Sequence, residues 1–258
     1  MPSIYAHYRF GAQMITKLPP PVQRTIGRFR QLYDMGLHGP DILYYQGTGS
    51  KLGDKFHTQS GKVFFERVCR YVRLSPSEGA MAYLYGVLAH YALDSLSHPF
   101  INRMAGQGKA THMEIETEFD RFLLEMDGKK PPYMQDLSGH MHLTPGESET
   151  VAGFYPNVSA GAVRKCVDNM AATTRFLIVP QSLRRDLLSK TMKLVSPRNA
   201  GRLMTVHPNR ACNELNPSLL RLYEMAAERY MVLWEQVRAH LRRKAPLGTD
   251  FSVPFGCE

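Results

Sequence analysis

Hydrophobic residues along this chain recur at three- and four-residue steps, which is the spacing of one face of a helix. The pattern predicts helices over much of the sequence, each bounded by Gly, Pro or a capping residue. It contains neither convincing hairpin signals nor an internal repeat. We therefore predict an all-α fold, a multi-helix bundle in which residues 1–258 form one domain.

The predicted helices follow one another with short breaks. They begin after Ser3 as a cap and then cover residues 22–37, 62–72, 76–98, 112–126, 159–179, 182–195 and 217–244. Residues 19–21 are expected to form a stiff spacer, 47–53 a loop, 127–150 an irregular segment and 196–216 a polar connection. Ser75, Pro76 and Glu78 predict a capping box at the start of the central helix, and Pro99 is expected to end that helix.

The segment 83–99 carries His90, Asp94 and His98 at four-residue steps. Four residues turn a helix by about 400°, so the three side chains share one stripe. Most neighbouring positions are apolar or small, which predicts a buried helix. Ionisable groups on a buried helix are costly unless something compensates them. Hydrogen bonds inside the core could offset the cost of burying these groups. For three such groups on one stripe of a helix, we favour a bound metal as the compensation.

The axial spacing of these residues bears on the number of ions. The Cα atoms of His90 and His98 would lie about 12 Å apart along the helix. Metal–ligand bonds are about 2 Å long, so one ion is not expected to bind both imidazoles. Asp94 lies between them, and its two oxygens can bridge. We predict a cluster of two or more ions with Asp94 near its middle.

Further donors lie before and after this helix. His112 and Glu116 form an i, i+4 pair on the next predicted helix, Asp41 directly follows Gly-Pro, His57 follows a Gly-rich loop, and His7 lies near the N-terminus. Imidazole and carboxylate ligands without thiolate suit zinc in a hydrolytic role. The chain has no His-Glu-x-x-His, Gly-x-Ser-x-Gly or P-loop motif, so those classes of enzyme are not indicated.

The order of these motifs, His, Gly-Pro-Asp, His, His-x3-Asp-x3-His and His-x3-Glu, resembles the bacterial zinc-dependent phospholipases C. It looks more closely like their smaller, leaderless relatives, which begin Met-Pro-Ser. The resemblance covers motifs in residues 1–120. It implies an all-helical fold, shared with single-strand nucleases of the P1 type, and a trinuclear zinc cluster that hydrolyses phosphodiesters.

Carried onto this sequence, the resemblance implies a ligand set for each ion. Asp41, His57, His90 and Asp94 would hold one zinc ion, His98, His112 and Glu116 a second, and His7 with a bridging Asp94 a third. Asp41 would also act in catalysis by orienting or deprotonating the attacking water. In secreted members an N-terminal Trp supplies its amino group and carbonyl to the third zinc. The single Trp of this chain is Trp234, and removal of Met1 would leave Pro2 in that place.

Composition bears on partners and location. The 258 residues carry a net charge of +9, which favours anionic partners such as phosphates, a lipid surface or nucleic acid. The four cysteines form no Cys-x-x-Cys pair, which favours free thiols in a reducing compartment. Neither a signal peptide nor an apolar run of membrane-spanning length is evident, so we expect a cytoplasmic location. We expect a phosphodiester substrate, with phospholipid as the class that the resemblance implies, and no stable nucleic-acid complex. The basic charge is compatible with peripheral membrane contact.

Two other functions stay open at the level of sequence. Single-strand nucleases or nucleotidases share the implied metal cluster and fold, and the basic charge is compatible with them. A metal-stabilised binding or structural protein would hold zinc without turning over any phosphodiester. Five further histidines lie outside the ligand set. His38 is a candidate for the site mouth, His140 and His142 form a His-x-His pair without other support for a metal site, and His207 and His240 are expected at the surface.

Overall fold

The computed structural model describes residues 4–47, 52–180, 183–195 and 201–256. Within these ranges the secondary structure is helical, apart from an isolated antiparallel bridge between Ser60 and Pro254. The α-helices are α1 (Ile4–Lys17), α2 (Pro20–Arg28), α3 (Arg30–Gly36), α4 (Leu52–Thr58), α5 (Gly61–Leu74), α6 (Glu78–Gly106), α7 (His112–Met126), α8 (Pro145–Ala152), α9 (Ala160–Phe176), α10 (Leu183–Val195), α11 (Arg210–Asn213) and α12 (Asn216–Leu241). Three 3-10 helices cover Gly39–Tyr45, Pro132–Met134 and Thr249–Phe251. The prediction of an all-α fold is confirmed.

Helix α6 lies at the centre of the molecule. Helices α1, α2, α3, α5, α7, α8 and α12 all pack against it. Almost every residue from Gly79 to Ile101 is buried, as expected for a helix that is apolar around most of its circumference. The stripe of His90, Asp94 and His98 therefore lies inside the protein.

Helices α3 and α6 cross at two glycines. A Cβ atom on Gly86 would collide with the backbone carbonyl of Tyr33 and with Gly36, and a Cβ atom on Gly36 would collide with the carbonyl of Tyr83. The two backbones are thus in direct contact, which only glycine allows. This contact places the chain that follows α3, including Asp41, beside the middle of α6.

The predicted boundaries of α6 were wrong at both ends. Ser77 is the N-cap, with its hydroxyl accepting a hydrogen bond from the Ala80 amide, because the Ser75 amide still donates to Tyr71 O at the end of α5. At the other end α6 continues through Pro99 to Gly106. The proline removes a single amide donor, whereas burial of Ile101 and the packing of α7 hold the following turns in place.

Other boundaries differ locally. The predicted spacer 19–21 ends at Pro19, and α2 begins at Pro20. Proline is tolerated at the first position of a helix because the amide there has no partner within the helix. Phe29 divides the predicted helix 22–37 into α2 and α3. Helix α8 interrupts the segment expected to be irregular, and its capping box of Thr144 and Glu147 was readable in the sequence.

Several expectations concern residues outside the described ranges, including the Ser3 cap, Ser182 and parts of the segments 47–53 and 196–216. The single-domain organisation stays a prediction. Across the described residues, none of the helices combines the length and apolar character needed to span a bilayer.

Candidate metal centre

Four buried side chains form what we call the inner group: His7, Asp41, His90 and Asp94. The four come from α1, the 3-10 helix at Gly39–Tyr45 and α6, and their nearest ligand-type atoms all lie within 4.8 Å of one another. Asp94 Oδ1 lies 3.0 Å from His7 Nε2, and Asp94 Oδ2 lies 3.0 Å from His90 Nε2. Asp94 thus lies between two imidazoles, near the middle of the cluster.

His57 adjoins the inner group through Asp41. Its Nε2 atom lies 2.8 Å from Asp41 Oδ1, while Asp41 Oδ2 lies 3.7 Å from His90 Nε2. His57 and His90 therefore face the same carboxylate, that of Asp41. His7 lies in this same group, whereas the resemblance assigned it to a separate third ion.

Three side chains form the outer group: His98, His112 and Glu116. The Oε1 atom of Glu116 lies 3.3 Å from His98 Nε2 and 3.1 Å from His112 Nε2. His98 also faces the inner group, because its Nδ1 atom is 3.9 Å from Asp94 Oδ2. Seven of the eight residues that the sequence singled out thus lie in two adjoining groups, and the eighth, His57, contacts the inner group through Asp41.

A small cavity lies where the two groups meet. It measures about 20 Å³ and is lined on its polar side by His7, Asp94, Ser97, His98 and Glu116. That volume is enough for roughly one water-sized particle. Donors of both groups therefore share one buried space of the size of an ion or a water molecule.

Many donor atoms of these groups are buried without a partner in hydrogen-bonding geometry. They include His7 Nδ1, His57 Nε2, His90 Nε2, His112 Nε2, Asp41 Oδ2 and Asp94 Oδ2. Buried polar atoms normally make hydrogen bonds, and leaving one unpaired costs about 1–3 kcal/mol. Such a concentration of nitrogen and oxygen lone pairs fits a site for cations, and imidazole with carboxylate suits zinc.

Four of the imidazoles are oriented by contacts of their Nδ1 atom. The Nδ1 atom pairs with Leu37 O in His90 (3.2 Å), with Gly53 O in His57 (2.8 Å) and with Phe255 O in His98 (3.1 Å). In His112 it pairs with Asn102 Oδ1 at 2.7 Å. A proton held on Nδ1 by a carbonyl leaves the Nε2 lone pair available, as is usual for histidine ligands of metals.

Charge within the cluster keeps its carboxylates ionised. Burial alone would raise the pKa of Asp94, but His90, His98 and His7 hold it well below its usual range. Burial is likewise outweighed at Asp41, whose pKa His90 and His57 lower. Burial lowers the pKa of His98, yet Asp94 and Glu116 raise it to about 9. The carboxylates are thus negatively charged. In the metal-free protein the neighbouring imidazoles compensate this negative charge.

Local backbone features place the inner group. Gly39 has φ of +48°, and a Cβ atom there would lie 2.5 Å from the ring of His90, so glycine is needed both for the turn and for the contact. At the start of α1, the Asp120 carboxylate accepts hydrogen bonds from the Tyr5 and Ala6 amides at 2.9 and 2.8 Å. This contact fixes the helix end that carries His7. Sequence reasoning did not identify Asp120, although it continues the i, i+4 series of His112 and Glu116.

His38, His140 and His142 lie outside the two groups. His38 is completely buried, and its Nε2 atom lies 2.6 Å from His140 Nε2, with the two rings stacked. His142 is exposed, and its backbone carbonyl accepts a hydrogen bond from Gln31. The His140 and His142 side chains do not join a group of three metal-type donors within the described residues.

The sequence comparison identifies the family. A family model described as zinc dependent phospholipase C matches residues 6–169. The chain belongs to the zinc-dependent phospholipase C family. The match spans every residue of the inner and outer groups together with His57. No curated protein and no solved structure matches the chain.

Proposed function

We propose that this member of the zinc-dependent phospholipase C family is a phosphodiester hydrolase that uses zinc held by the inner and outer groups. The proposal rests chiefly on the convergence of buried, unpaired nitrogen and oxygen atoms from separate segments of the chain. A merely structural core would have paired these atoms with one another or replaced them with apolar groups.

The distances support a ligand set for each group. The inner group would hold zinc through His7, Asp41, His90 and Asp94, with His57 completing the set through its contact with Asp41. The outer group would hold zinc through His98, His112 and Glu116. When bound, zinc neutralises phosphate charge and lowers the pKa of a coordinated water toward about 7.

Asp41 is the residue that we propose for a direct role in hydrolysis. Its Oδ1 atom faces His57, and its buried Oδ2 atom has no hydrogen-bond partner. Because His90 and His57 lower its pKa, Asp41 is ionised at neutral pH and can accept a hydrogen bond from a water molecule. It would orient the attacking water toward the phosphorus and accept its proton.

We propose two or three ions. The cavity between the groups offers His7, Asp94 and Glu116 to a third ion. The N-terminal Trp that serves this ion in secreted family members has no counterpart in the described residues, where Trp234 is buried on α12. Elemental analysis of protein purified with zinc supplementation would give the number directly.

Phosphatidylcholine vesicles, single-stranded DNA and bis-p-nitrophenyl phosphate are the substrates that test the function. We expect zinc-dependent release of phosphocholine and of nitrophenol, with loss of both after EDTA treatment and recovery with zinc. Cleavage of DNA alone would point to the nuclease alternative instead. Bound zinc without turnover of any of the three would leave a metal-stabilised binding protein and overturn the proposal.

We also propose a substrate class, a membrane contact and a cellular location. A phospholipid substrate is compatible with the family, and peripheral contact with a membrane is compatible with the net charge of +9. A cytoplasmic location stays a prediction. Binding of the zinc-loaded protein to anionic and neutral vesicles in a sedimentation assay would test the membrane contact.

A further inference from the structure

The C-terminal segment, residues 247–256, ends against two imidazoles of the metal centre. The Phe255 carbonyl accepts the hydrogen bond from His98 Nδ1 at 3.1 Å, and the Gly256 amide donates to His57 O at 3.2 Å. A Cβ atom built on Gly256 would lie 2.7 Å from His98 Nδ1, so the imidazole packs directly on the glycine. This segment lies well beyond the residues 6–169 that the family model matches.

Hydrogen bonds from three elements hold this segment in place. Tyr91 on α6 donates to Asp250 O at 3.1 Å and to Val253 O at 2.8 Å. The Gly61 amide at the start of α5 donates to Val253 O at 2.9 Å. Arg229 on α12 donates to Asp250 O at 2.8 Å. The backbone on both sides of Asp250 is therefore fixed relative to α6, which carries His98.

Aromatic packing fixes the last residues. Phe251 and Phe255 are completely buried. The Phe251 ring stacks on Tyr91, with ring centroids 5.7 Å apart, and the Phe255 ring contacts Phe64 edge to face at 5.0 Å. The Phe255 carbonyl is thus held by a buried side chain, which makes it a rigid acceptor for His98.

A carbonyl at Nδ1 determines which nitrogen of His98 can bind a cation. With one proton donated to Phe255 O, His98 can bind a cation only through Nε2, the atom that lies 3.3 Å from Glu116 Oε1. For His57, His90 and His112 the corresponding acceptors lie 4, 53 and 10 residues away, whereas Phe255 is 157 residues from His98. One ligand of the outer group thus depends on the far end of the chain.

We propose that Phe255 and Gly256 are positioning residues for the outer group. The Phe255 carbonyl selects Nε2 of His98 as the metal ligand, and the bare α-carbon of Gly256 leaves the space in which the imidazole must lie. This inference rests on the proposed function only in that the outer group binds zinc, and it does not require turnover.

The Gly256→Ala variant of the full chain tests this role. Its methyl group would displace the His98 ring, so we expect one zinc equivalent to bind 10- to 100-fold more weakly, the range typical of lost outer-sphere contacts. The other zinc should bind as in the unchanged protein. Affinities would be measured by competition with a chromophoric chelator. Gly161→Ala is the matched control, since nothing lies within 4 Å of its Cβ position.

A second measurement on the unchanged protein covers the case in which Gly256→Ala does not fold. Nitrogen-15 spectra of the zinc-loaded protein report which ring nitrogen of His98 carries the proton. We expect the proton on Nδ1 and the metal on Nε2. Metal on Nδ1, or zinc affinities of Gly256→Ala within threefold of the unchanged protein, would overturn the inference.

The two proposals can fail separately. Zinc binding that is sensitive to Gly256→Ala, without hydrolysis of any phosphodiester, would leave the positioning role intact and remove the proposed function. Hydrolysis with zinc binding that is indifferent to Gly256→Ala would do the reverse. A chain that binds no zinc after supplementation would overturn both.

Discussion

The inner and outer groups use the same kinds of donor but are built differently. Each inner side chain is at most 3% exposed, and the group joins three segments that meet only in the folded core. The outer group lies on α6 and α7, and the His112 side chain is 28% exposed. The inner group is therefore part of the core packing, whereas the outer group lies at its edge and depends on single orienting contacts.

This contrast predicts different consequences of substitution. Changes in the inner group should alter metal content and folding stability together, because a site that exists only in the folded chain adds its binding free energy to the stability. Changes in the outer group should alter metal content with little effect on the metal-free fold. The predictions below run from the largest expected effect to the smallest.

Asp94→Ala should have the largest effect. Asp94 faces His7 and His90 in the inner group and His98 in the outer group, so its loss leaves mutually facing imidazoles without their carboxylate. We expect loss of at least one zinc per chain and of the stabilisation that zinc confers, about 4 kcal/mol at a thousandfold excess over Kd. Elemental analysis and thermal unfolding would measure the two effects, with exposed Asp168→Ala on α9 as control. Full zinc content at an unchanged Tm would contradict the prediction.

Gly86→Ala should destabilise the protein even without metal. The added methyl group would press on the backbone of α3 at Tyr33 and Gly36, and overpacking of a core costs about 1–3 kcal/mol. We expect about 3 kcal/mol, measured by urea unfolding in EDTA, because backbone atoms cannot move aside as side chains do. Gly161→Ala, with open space around it, should cost little. Equal costs for the two variants would mean that the crossing of α3 and α6 is not as close as described.

Glu116→Gln should separate the two groups. The carboxylate faces both imidazoles of the outer group, at 3.3 and 3.1 Å, so its neutralisation removes the carboxylate of that group and leaves Asp41 and Asp94 of the inner group unchanged. We expect outer zinc to bind at least a hundredfold more weakly and inner zinc to bind as before. Competition titrations would resolve the two affinities, with exposed Glu149→Gln as control. Equal weakening of every zinc would show that the groups act as one unit.

The pH dependence of the outer group should have opposite signs with and without metal. Although burial works against its charged form, Asp94 and Glu116 raise the pKa of His98 to about 9. In the metal-free protein the proton on His98 therefore adds stability below the ordinary pKa of about 6.5, and this stability is lost as the pH rises through 9. Zinc must displace that proton, so its affinity should rise by up to tenfold per pH unit toward pH 9.

Two measurements check these signs. Thermal unfolding in EDTA should show a Tm that falls between pH 6.5 and 9, and chelator competition should show outer zinc binding that strengthens over the same range. The His98→Ala variant should lose the slope of outer zinc binding and show a smaller fall of Tm, because the raised pKa of His7 still contributes. A Tm slope that is unchanged in this variant would assign the proton to another group.

Much of this architecture was readable from the sequence. The periodicity predicted α7 to the residue, and the spacing of His90, Asp94 and His98 predicted the buried stripe on α6. The sequence did not predict that α6 continues through Pro99. The rule that a helix ends before proline considers only neighbouring residues and not the packing that holds the following turns. Nor did the sequence identify Asp120, Asn102 or Phe255, whose roles depend on which atoms they meet across the fold.

The sequence by itself determined which donors exist and which of them share a helix face, because helical geometry relates side chains four residues apart. Only the tertiary structure decided that Asp41, His7 and the α6 stripe converge, since their approach depends on the Gly36–Gly86 crossing and on Asp120 holding α1. It also decided that a carbonyl 157 residues away orients His98. Backbone atoms carry no residue-specific signal, and long-range contacts arise from packing, which no local pattern encodes.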